Sequence, residues 1–260
     1  MKPFALITGA CVNTGVAIVE KFAAEGRNVV FTGRSPERVA AAQEAYRAKF
    51  PGVTILGYAI DSLIDERTVD EAAVSAMFDF LDTQGIFIDA LVLNAADQGL
   101  GIVALENPLT DFMRVINTNV VWNYCLCEHA VRRMKDNGGG SIVFVNSNTA
   151  YRAIPDRVAY VASKGGQLGM MRALALDFGK YNVRVNAVLP GMIRTDRWVK
   201  NPDFYASVPS RYTPIGDVAD GADVADAVWY FVAHARNTTG AELVVDGGNT
   251  IQLYPIIPKE

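Results

Sequence analysis

A chain of 260 residues, half of them hydrophobic, can bury a large core and has the length of one α/β domain, so residues 1–260 are expected to fold as a single unit. Its 24 basic and 28 acidic residues are interspersed and leave a formal charge of -4, which gives no basic stripe for nucleic acid and no polybasic membrane patch; small molecules and copies of the chain itself are the expected partners. The three cysteines, Cys11, Cys125 and Cys127, cannot all pair internally, the apolar opening FALITGA is short for a signal segment, and no run reaches the ~18 apolar residues of a membrane span, so a reducing, cytoplasmic setting is expected.

FALIT (4–8) reads as a first strand, and TGACVNTG leads from it into a helix. At such a turn backbone N–H groups and the positive end of the helix can cradle a pyrophosphate, with Gly9 allowing the turn, Gly15 close packing of the helix, and Thr14 between them. Asn13 stands where a middle glycine is expected, and asparagine tolerates left-handed backbone better than most residues. Two glycines here fit a purely structural turn as well. NVVFTG (28–33) is a second strand, followed by a helical pattern over 36–49. VTILGYA (53–59) is a third, with a helical pattern over 65–82 behind it. DALVLN (89–94), SIVFVN (141–146), VRVNAVL (183–189) and AELVVD (241–246) complete seven strands, and 158–178 is the longest helical pattern. Met192 to Asp220 has no clear pattern and reads as a substrate-side insertion. Near-continuous apolar strands alternating with helices imply an α/β, doubly wound fold, with a seven-stranded parallel sheet covered on both faces. Ligands then bind beyond the carboxyl ends of the strands.

YVASK (160–164) opens the longest helix. Residues i and i+4 share a face, so Lys164 can hold a positive charge near the Tyr160 hydroxyl. A nearby cation favours the phenolate and makes tyrosine a better acid and base; the plain alternative is a surface contact. His129 and His234 both lie in helical stretches far from acidic or cysteine clusters, so a metal site or a Ser-His-Asp arrangement has little support and a proton donor must be found elsewhere.

TGxxxxxG after strand one, NAA (94–96), Asn119 in INTNV, Ser147 in VNSN, Tyr160 and Lys164 in YVASK, PGMIRT (190–195) and DGG (246–248) together resemble the short-chain dehydrogenase/reductases along nearly the whole chain. The gap between Ser147 and Tyr160 is also one the family commonly shows. The resemblance implies a Rossmann-type fold and interconversion of a secondary alcohol and a ketone with a nicotinamide cofactor. It implies that Tyr160 exchanges the proton, Ser147 fixes the reacting oxygen, Lys164 bonds the nicotinamide ribose and favours the phenolate, and Asn119 holds a water through which protons reach solvent. It places Asp61 at the adenine amino group, Asn94 and Ala95 beside the adenosine ribose, and Pro190, Gly191, Ile193 and Thr195 around the carboxamide and pyrophosphate. Asp61 fits equally as the N-cap of a following helix.

At the end of strand two an NAD enzyme usually carries a carboxylate; here Gly33 is followed by Arg34, whose guanidinium suits a 2′-phosphate, and by the Ser35 hydroxyl, so NADP(H) is expected over NAD(H). Val12, where many NADP-binding relatives are basic, weighs against this. Gln98, Asn148, Tyr151, Arg152, Arg157, Arg194, Arg197 and Trp198 fall on the pocket loops, and two inward arginines would fit a polar or anionic substrate such as a sugar, polyol or keto acid. A hydroxysteroid dehydrogenase and a 3-oxoacyl reductase are the alternatives, the second weakened because Leu176 precedes Asp177 where carrier-protein reductases tend to be basic. A non-catalytic nucleotide sensor on the same fold would be expected to lack Ser, Tyr or Lys, and none is missing. The mostly apolar or small helix 158–178 and the tail IQLYPIIPKE are expected to join a dimer or, from the resemblance, a tetramer.

Overall fold

The computed structural model describes residues 3–256, except the side chains of Arg197, Val199, Phe204 and Ser210. The strands are β1 (Pro3–Ile7), β2 (Asn28–Gly33), β3 (Ile55–Ala59), β4 (Leu63–Asp65), β5 (Thr68–Val69), β6 (Phe87–Leu93), β7 (Gly140–Val145), β8 (Val183–Pro190) and β9 (Glu242–Val245). Seven of them form one parallel sheet in the order β3-β2-β1-β6-β7-β8-β9, as expected. Successive side chains point to opposite faces: Phe4 and Leu6 enter one core and Ala5 and Ile7 the other. Both faces are therefore covered. Helices α3 (Glu71–Thr83), α5 (Trp122–Met134) and α6 (Val158–Gly179) bury Met77, Phe78, Leu126 and Met171 on the first; α1 (Asn13–Ala24), α2 (Pro36–Lys49) and α10 (Gly221–Trp229) bury Phe22, Tyr46 and Val228 on the second. Side chains as large as Phe22, Phe31, Phe78 and Phe144 are fully buried, each contributing roughly 1.5–3 kcal/mol.

The chain builds the sheet outward from β1 to β3, then returns to β6 on the other side of β1. The loops after β1 and β6 therefore diverge, and a crevice opens between them. Register slips at the β1–β6 pair, where Phe4 meets Ile88 and Ala5 meets Ala90. Asp89 is the extra residue, and its carboxylate pairs with Arg27.

Two local expectations need correction. The helix expected from 65 starts only at Glu71, because β4 and β5 form an antiparallel hairpin; Asp65 accepts from the Arg67 N–H at its turn, and Asp70 caps the helix by accepting from the Ala73 N–H. The stretch 192–220 contains short helices α7 (Asp196–Lys200), α8 (Pro202–Tyr205) and α9 (Val208–Tyr212). Asn119 lies in a π-helical turn, Asn117–Val121, between α4 (Leu109–Ile116) and α5.

Helix α10 packs close to α1, where a Cβ on Gly221 would lie 2.9 Å from the Ala17 Cβ. Its start is set by Asp220, whose carboxylate accepts from the Ala222 and Asp223 N–H groups while the Asp223 carboxylate accepts from the Asp220 N–H. Asp220→Ala is expected to cost about 1 kcal/mol, seen as a lower urea midpoint at unchanged slope.

Candidate active site

The turn after β1 is held to the turn after β6 by two side chains. Buried Thr8 accepts through Oγ1 from the Asn94 and Ala95 N–H groups at 3.0 Å each, and Asn94 Nδ2 donates to the Thr8 and Gly9 carbonyls at 3.0 and 3.1 Å. Gly9 has φ +65°, and a Cβ there would lie 2.8 Å from the Ala95 Cα, so both conformation and contact call for glycine. Asn13 takes the left-handed conformation its type allows, at φ 50°. Helix α1 begins there without a side-chain cap, so the first-turn N–H groups of Asn13, Thr14 and Gly15 stand at the crevice.

At the end of β2, Gly33 sits against Cys11: a Cβ at 33 would lie 2.5 Å from the Cys11 Sγ and 3.0 Å from the Val39 Cγ2. Cys11 thus lies where a side chain at position 33 would begin, and an exchange to aspartate there requires the Cys11 thiol to move aside. Arg34 borders the crevice, joined by Arg38 from the first turn of α2. Ser35 is engaged as the cap of α2, accepting from the Arg38 N–H at 3.2 Å and donating to the Glu37 carboxylate at 2.6 Å. Asp61 is followed by the β4–β5 hairpin, so it caps no helix; its carboxylate accepts from the Ser62 N–H.

Tyr160 and Lys164 project from the first turns of α6 toward the end of β7. The Tyr160 hydroxyl hydrogen-bonds to Ser147, and the Lys164 Nζ lies 5.6 Å from the Tyr160 ring centre. Lys164 is only 1% exposed; it donates to the Val145 carbonyl at 3.0 Å and the Gln167 Oε1 at 3.2 Å. Burial pulls its pKa down to about 7 and pushes that of Tyr160 up, against the weaker opposing effects of the Ser147 bond and Arg157. Ser147 and Arg157, and not the expected Lys164, are the groups that favour the phenolate in the ligand-free protein, and desolvation outweighs both. Asn119, fully buried, uses its side chain on Asp97, accepting from its N–H at 2.7 Å and donating to its carbonyl at 2.8 Å, and donates to Ser163 Oγ at 2.9 Å.

The expected site residues Gly9, Asn13, Thr14, Gly15, Gly33, Arg34, Ser35, Asp61, Asn94, Ala95, Ser147, Tyr160, Lys164, Pro190, Gly191, Ile193 and Thr195 all border one cleft of about 1340 Å³; Asn119 lies behind it. The turn after β9 is braced by Asp246, which accepts from the Gly248 and Thr250 N–H groups and, from the segment after β7, from Asn148 Nδ2.

The family model described as enoyl-(acyl carrier protein) reductase matches residues 9–250. The chain belongs to the short-chain dehydrogenase/reductase family. It is 34% identical over 255 residues to the A-factor type gamma-butyrolactone 1'-reductase (1S-forming) of Streptomyces virginiae, covering 95% of each chain. It is 31% identical over 252 residues to the D-threitol dehydrogenase of Mycolicibacterium smegmatis, covering 95% of this chain and 93% of that one. The structure of L-sorbose reductase from Gluconobacter frateurii, complexed with NADPH and L-sorbose, superposes with a TM-score of 0.87 at 28% identity, covering 97% of this chain and 98% of that one. As a short-chain dehydrogenase/reductase, the protein is an oxidoreductase.

Four residues of the site escaped the sequence reading. Arg38 lies one helical turn beyond Arg34, a spacing that could have drawn attention. Asp97 and Arg114 pair at the cleft, joined only by the fold. Gln167, three residues beyond Lys164, sits on the same helix face. Of the pocket-loop residues expected, Gln98 and Trp198 border the cleft. Arg152 donates to the Gln252 carbonyl, Arg157 to the Asp156 carbonyl, and Arg194 pairs with Asp217; Tyr151 donates to Glu242, and Asn148 is buried against Asp246 and Asn249. The Arg197 side chain lies outside those described. His129 stacks on Phe78 and His234 meets Trp229 edge-on, both away from the cleft.

Lys164 also makes a statement about stability. Its folded pKa of about 7 lies below the unfolded value near 10.4, so between these values the unfolded chain binds more protons and stability rises with pH. The stability of wild type relative to Lys164→Met is therefore expected to increase from about pH 7 to about pH 10. Urea midpoints of the ligand-free proteins that keep a constant difference across this range would contradict a buried, depressed lysine.

Proposed function

We propose that the protein interconverts a secondary alcohol and a ketone on a polar small molecule, with NADP(H) preferred over NAD(H). The observation that carries the reading is the convergence of the Ser147–Tyr160 hydrogen bond and Lys164 on the cleft whose other end is walled by the glycine turn after β1. The nicotinamide group supplies hydride chemistry when bound. The close approach that glycine permits at Gly9, together with the uncapped first turn of α1, fits a pyrophosphate. Ser147 then holds the reacting oxygen, Tyr160 gives or takes its proton, and Lys164 faces the ribose. Tyr160→Phe is expected to keep cofactor binding and to lower turnover by at least ~100-fold; full turnover would remove the tyrosine from this role.

The preference for NADP(H) rests on Cys11 lying where a carboxylate side chain at position 33 would begin and on two guanidinium groups, Arg34 and Arg38, at the adenosine end of the cleft. The joint Arg34→Ala and Arg38→Ala variant is expected to lose about tenfold or more in catalytic efficiency with NADPH while changing little with NADH. A wild-type enzyme that favours NADH would overturn the assignment.

The substrate end favours an uncharged polyol or sugar over an anion. Arg152 and Arg194 are engaged elsewhere, and the charge of Arg114, which does border the cleft, is matched by Asp97. Trp198 and Tyr205, both at the cleft, stack with ring centres 4.4 Å apart and offer a flat wall to a carbon skeleton. The D-threitol dehydrogenase and L-sorbose reductase are relatives whose names carry such compounds. Carrier-protein substrates have less support, since Arg132 pairs with Glu128 and Arg133 with Asp79 and Asp82. Nicotinamide absorbance followed with D-threitol, D-sorbitol, L-sorbose, keto acids and hydroxysteroids should rank the polyols and the ketose first. A leading keto acid or steroid would reverse this assignment.

The same reading includes self-association as a dimer or tetramer. Leu176 on α6 is 84% exposed in the single chain, and Ile251, Leu253 and Tyr254 of the tail are exposed; residues 257–260 of that tail lie outside those described. Sedimentation at micromolar concentration should show an oligomer, and a monomer would refute it.

A further inference from the structure

Gln167 is 1% exposed and makes hydrogen bonds at both ends of its amide. Its Oε1 accepts from the Lys164 Nζ at 3.2 Å and from Asn146 Nδ2 at 3.1 Å; its Nε2 donates to the Asn119 carbonyl at 2.6 Å. That carbonyl also accepts from Asn123 Nδ2 at 2.8 Å, so two side-chain donors occupy the main-chain oxygen of Asn119, the residue expected from the family resemblance to hold a relaying water. The π-helical turn holds the Asn119 carbonyl in line with α6, and Asn146 fastens the other side by donating to the Lys164 carbonyl at 3.0 Å.

We propose that Gln167 is a positioning residue of the active site, its side-chain amide taking the place of a solvent molecule between Lys164 and the Asn119 carbonyl and holding the lysine in its protonated form beside Tyr160. The inference rests on the reading of Tyr160 and Lys164 as the proton-transfer pair. No carboxylate serves the lysine. On α6 the neighbouring titratable or charged groups are Tyr160 and, further off, Arg157; β7 offers the Val145 carbonyl and Asn146, and the π turn offers Asn119. The segment after β6 brings Asp97, whose carboxylate is paired with Arg114. The Gln167 oxygen and the Val145 carbonyl are therefore the acceptors that keep a proton on Lys164 Nζ, in a setting where burial favours its loss. Without that charge the phenol keeps its own proton to higher pH. A side-chain amide neither gains nor loses a proton near neutrality, so the link orients and polarises but carries no proton toward Asn119.

Replacing Gln167 by residues of different size separates this role from filling space. Gln167→Met has a similar volume but no acceptor, and is expected to lower the Lys164 midpoint, about 7 in wild type, by about half a pH unit or more. Gln167→Ala leaves room for a water to restore the link, and is expected to stay near the wild-type midpoint despite a larger loss of stability. The readout is the Lys164 side-chain signal of the ligand-free protein in a lysine NMR titration, assigned with Lys164→Met; Gln167→Leu replaces the Met variant if the latter does not fold. A Met or Leu variant with the wild-type midpoint would overturn the proposal. Turnover of Lys164→Met tests the reading beneath it: retained turnover refutes the proton-transfer pair itself, whereas lost turnover with unmoved Gln167 variants refutes only the role of Gln167.

Discussion

Lys164 carries an amino group into the interior at the carboxyl end of β7, and much of the polar architecture around it follows from the cost of placing a charge there. An unpaired ammonium in an apolar setting is expensive enough that proteins neutralise it or surround it with acceptors. Here the acceptors are uncharged: a strand-end carbonyl and a glutamine. A carboxylate would compensate the charge more fully, but it would also cancel the positive field where the phenol needs it. Carbonyl oxygens satisfy the hydrogen bonds while leaving the net charge in place, so a catalytic requirement is met at some expense in stability.

The neighbouring structure extends the same economy of polar groups. Asn146 caps the turn after β7 by accepting from the Ser147 N–H at 2.7 Å, and with its amide it ties that turn to α6. Asn119 ties the π turn to the segment after β6 through Asp97 and to α6 through Ser163, whose hydroxyl in turn donates to the Tyr160 carbonyl at 2.7 Å. Each buried amide is thus spent on joining two elements that must keep register for Ser147, Tyr160 and Lys164 to meet. On the far side of the crevice Thr8 and Asn94 do the same for the glycine turn. Side-chain hydrogen bonds of this kind are worth little singly, but breaking one leaves its buried partner unsatisfied, which makes the arrangement stiff.

The parts of this design that were legible in the sequence are those repeated by periodicity or by a local motif. Seven apolar strands, the turn after β1 and the Tyr160–Lys164 spacing could all be read because each is set by residues close together in the chain. The hairpin Leu63–Val69 was hidden inside a helical pattern because it comprises only a few residues, and its turn is specified by Asp65 alone. The contact between Cys11 and Gly33 joins two turns brought together by parallel pairing of β1 and β2, which no local pattern reports. Gln167 was passed over for another reason. Polar and three residues after a lysine, it looks like a solvated position until the sheet and the π turn close over it.

The arginines show how the same limit bears on substrate choice. Their number on the pocket loops favoured an anionic ligand, but a guanidinium is long, and its direction is decided by the nearest acceptor. Arg194 finds Asp217, Arg152 reaches the tail carbonyl of Gln252, and Arg114 is matched by Asp97 at the cleft. Arg194 ties the stretch 192–220 to itself and Arg152 braces the tail against the body of the protein, while the third guanidinium meets the cleft already neutralised. A cleft with balanced charge, hydrogen-bonding groups such as Gln98 and an aromatic wall at Trp198 and Tyr205 suits the proposed polyol or sugar, which it would hold by hydroxyl contacts and shape. Specificity in such a site comes from leaving a polar group unpaired when the wrong ligand enters, which discriminates against a missing hydroxyl far more sharply than against an additional methylene.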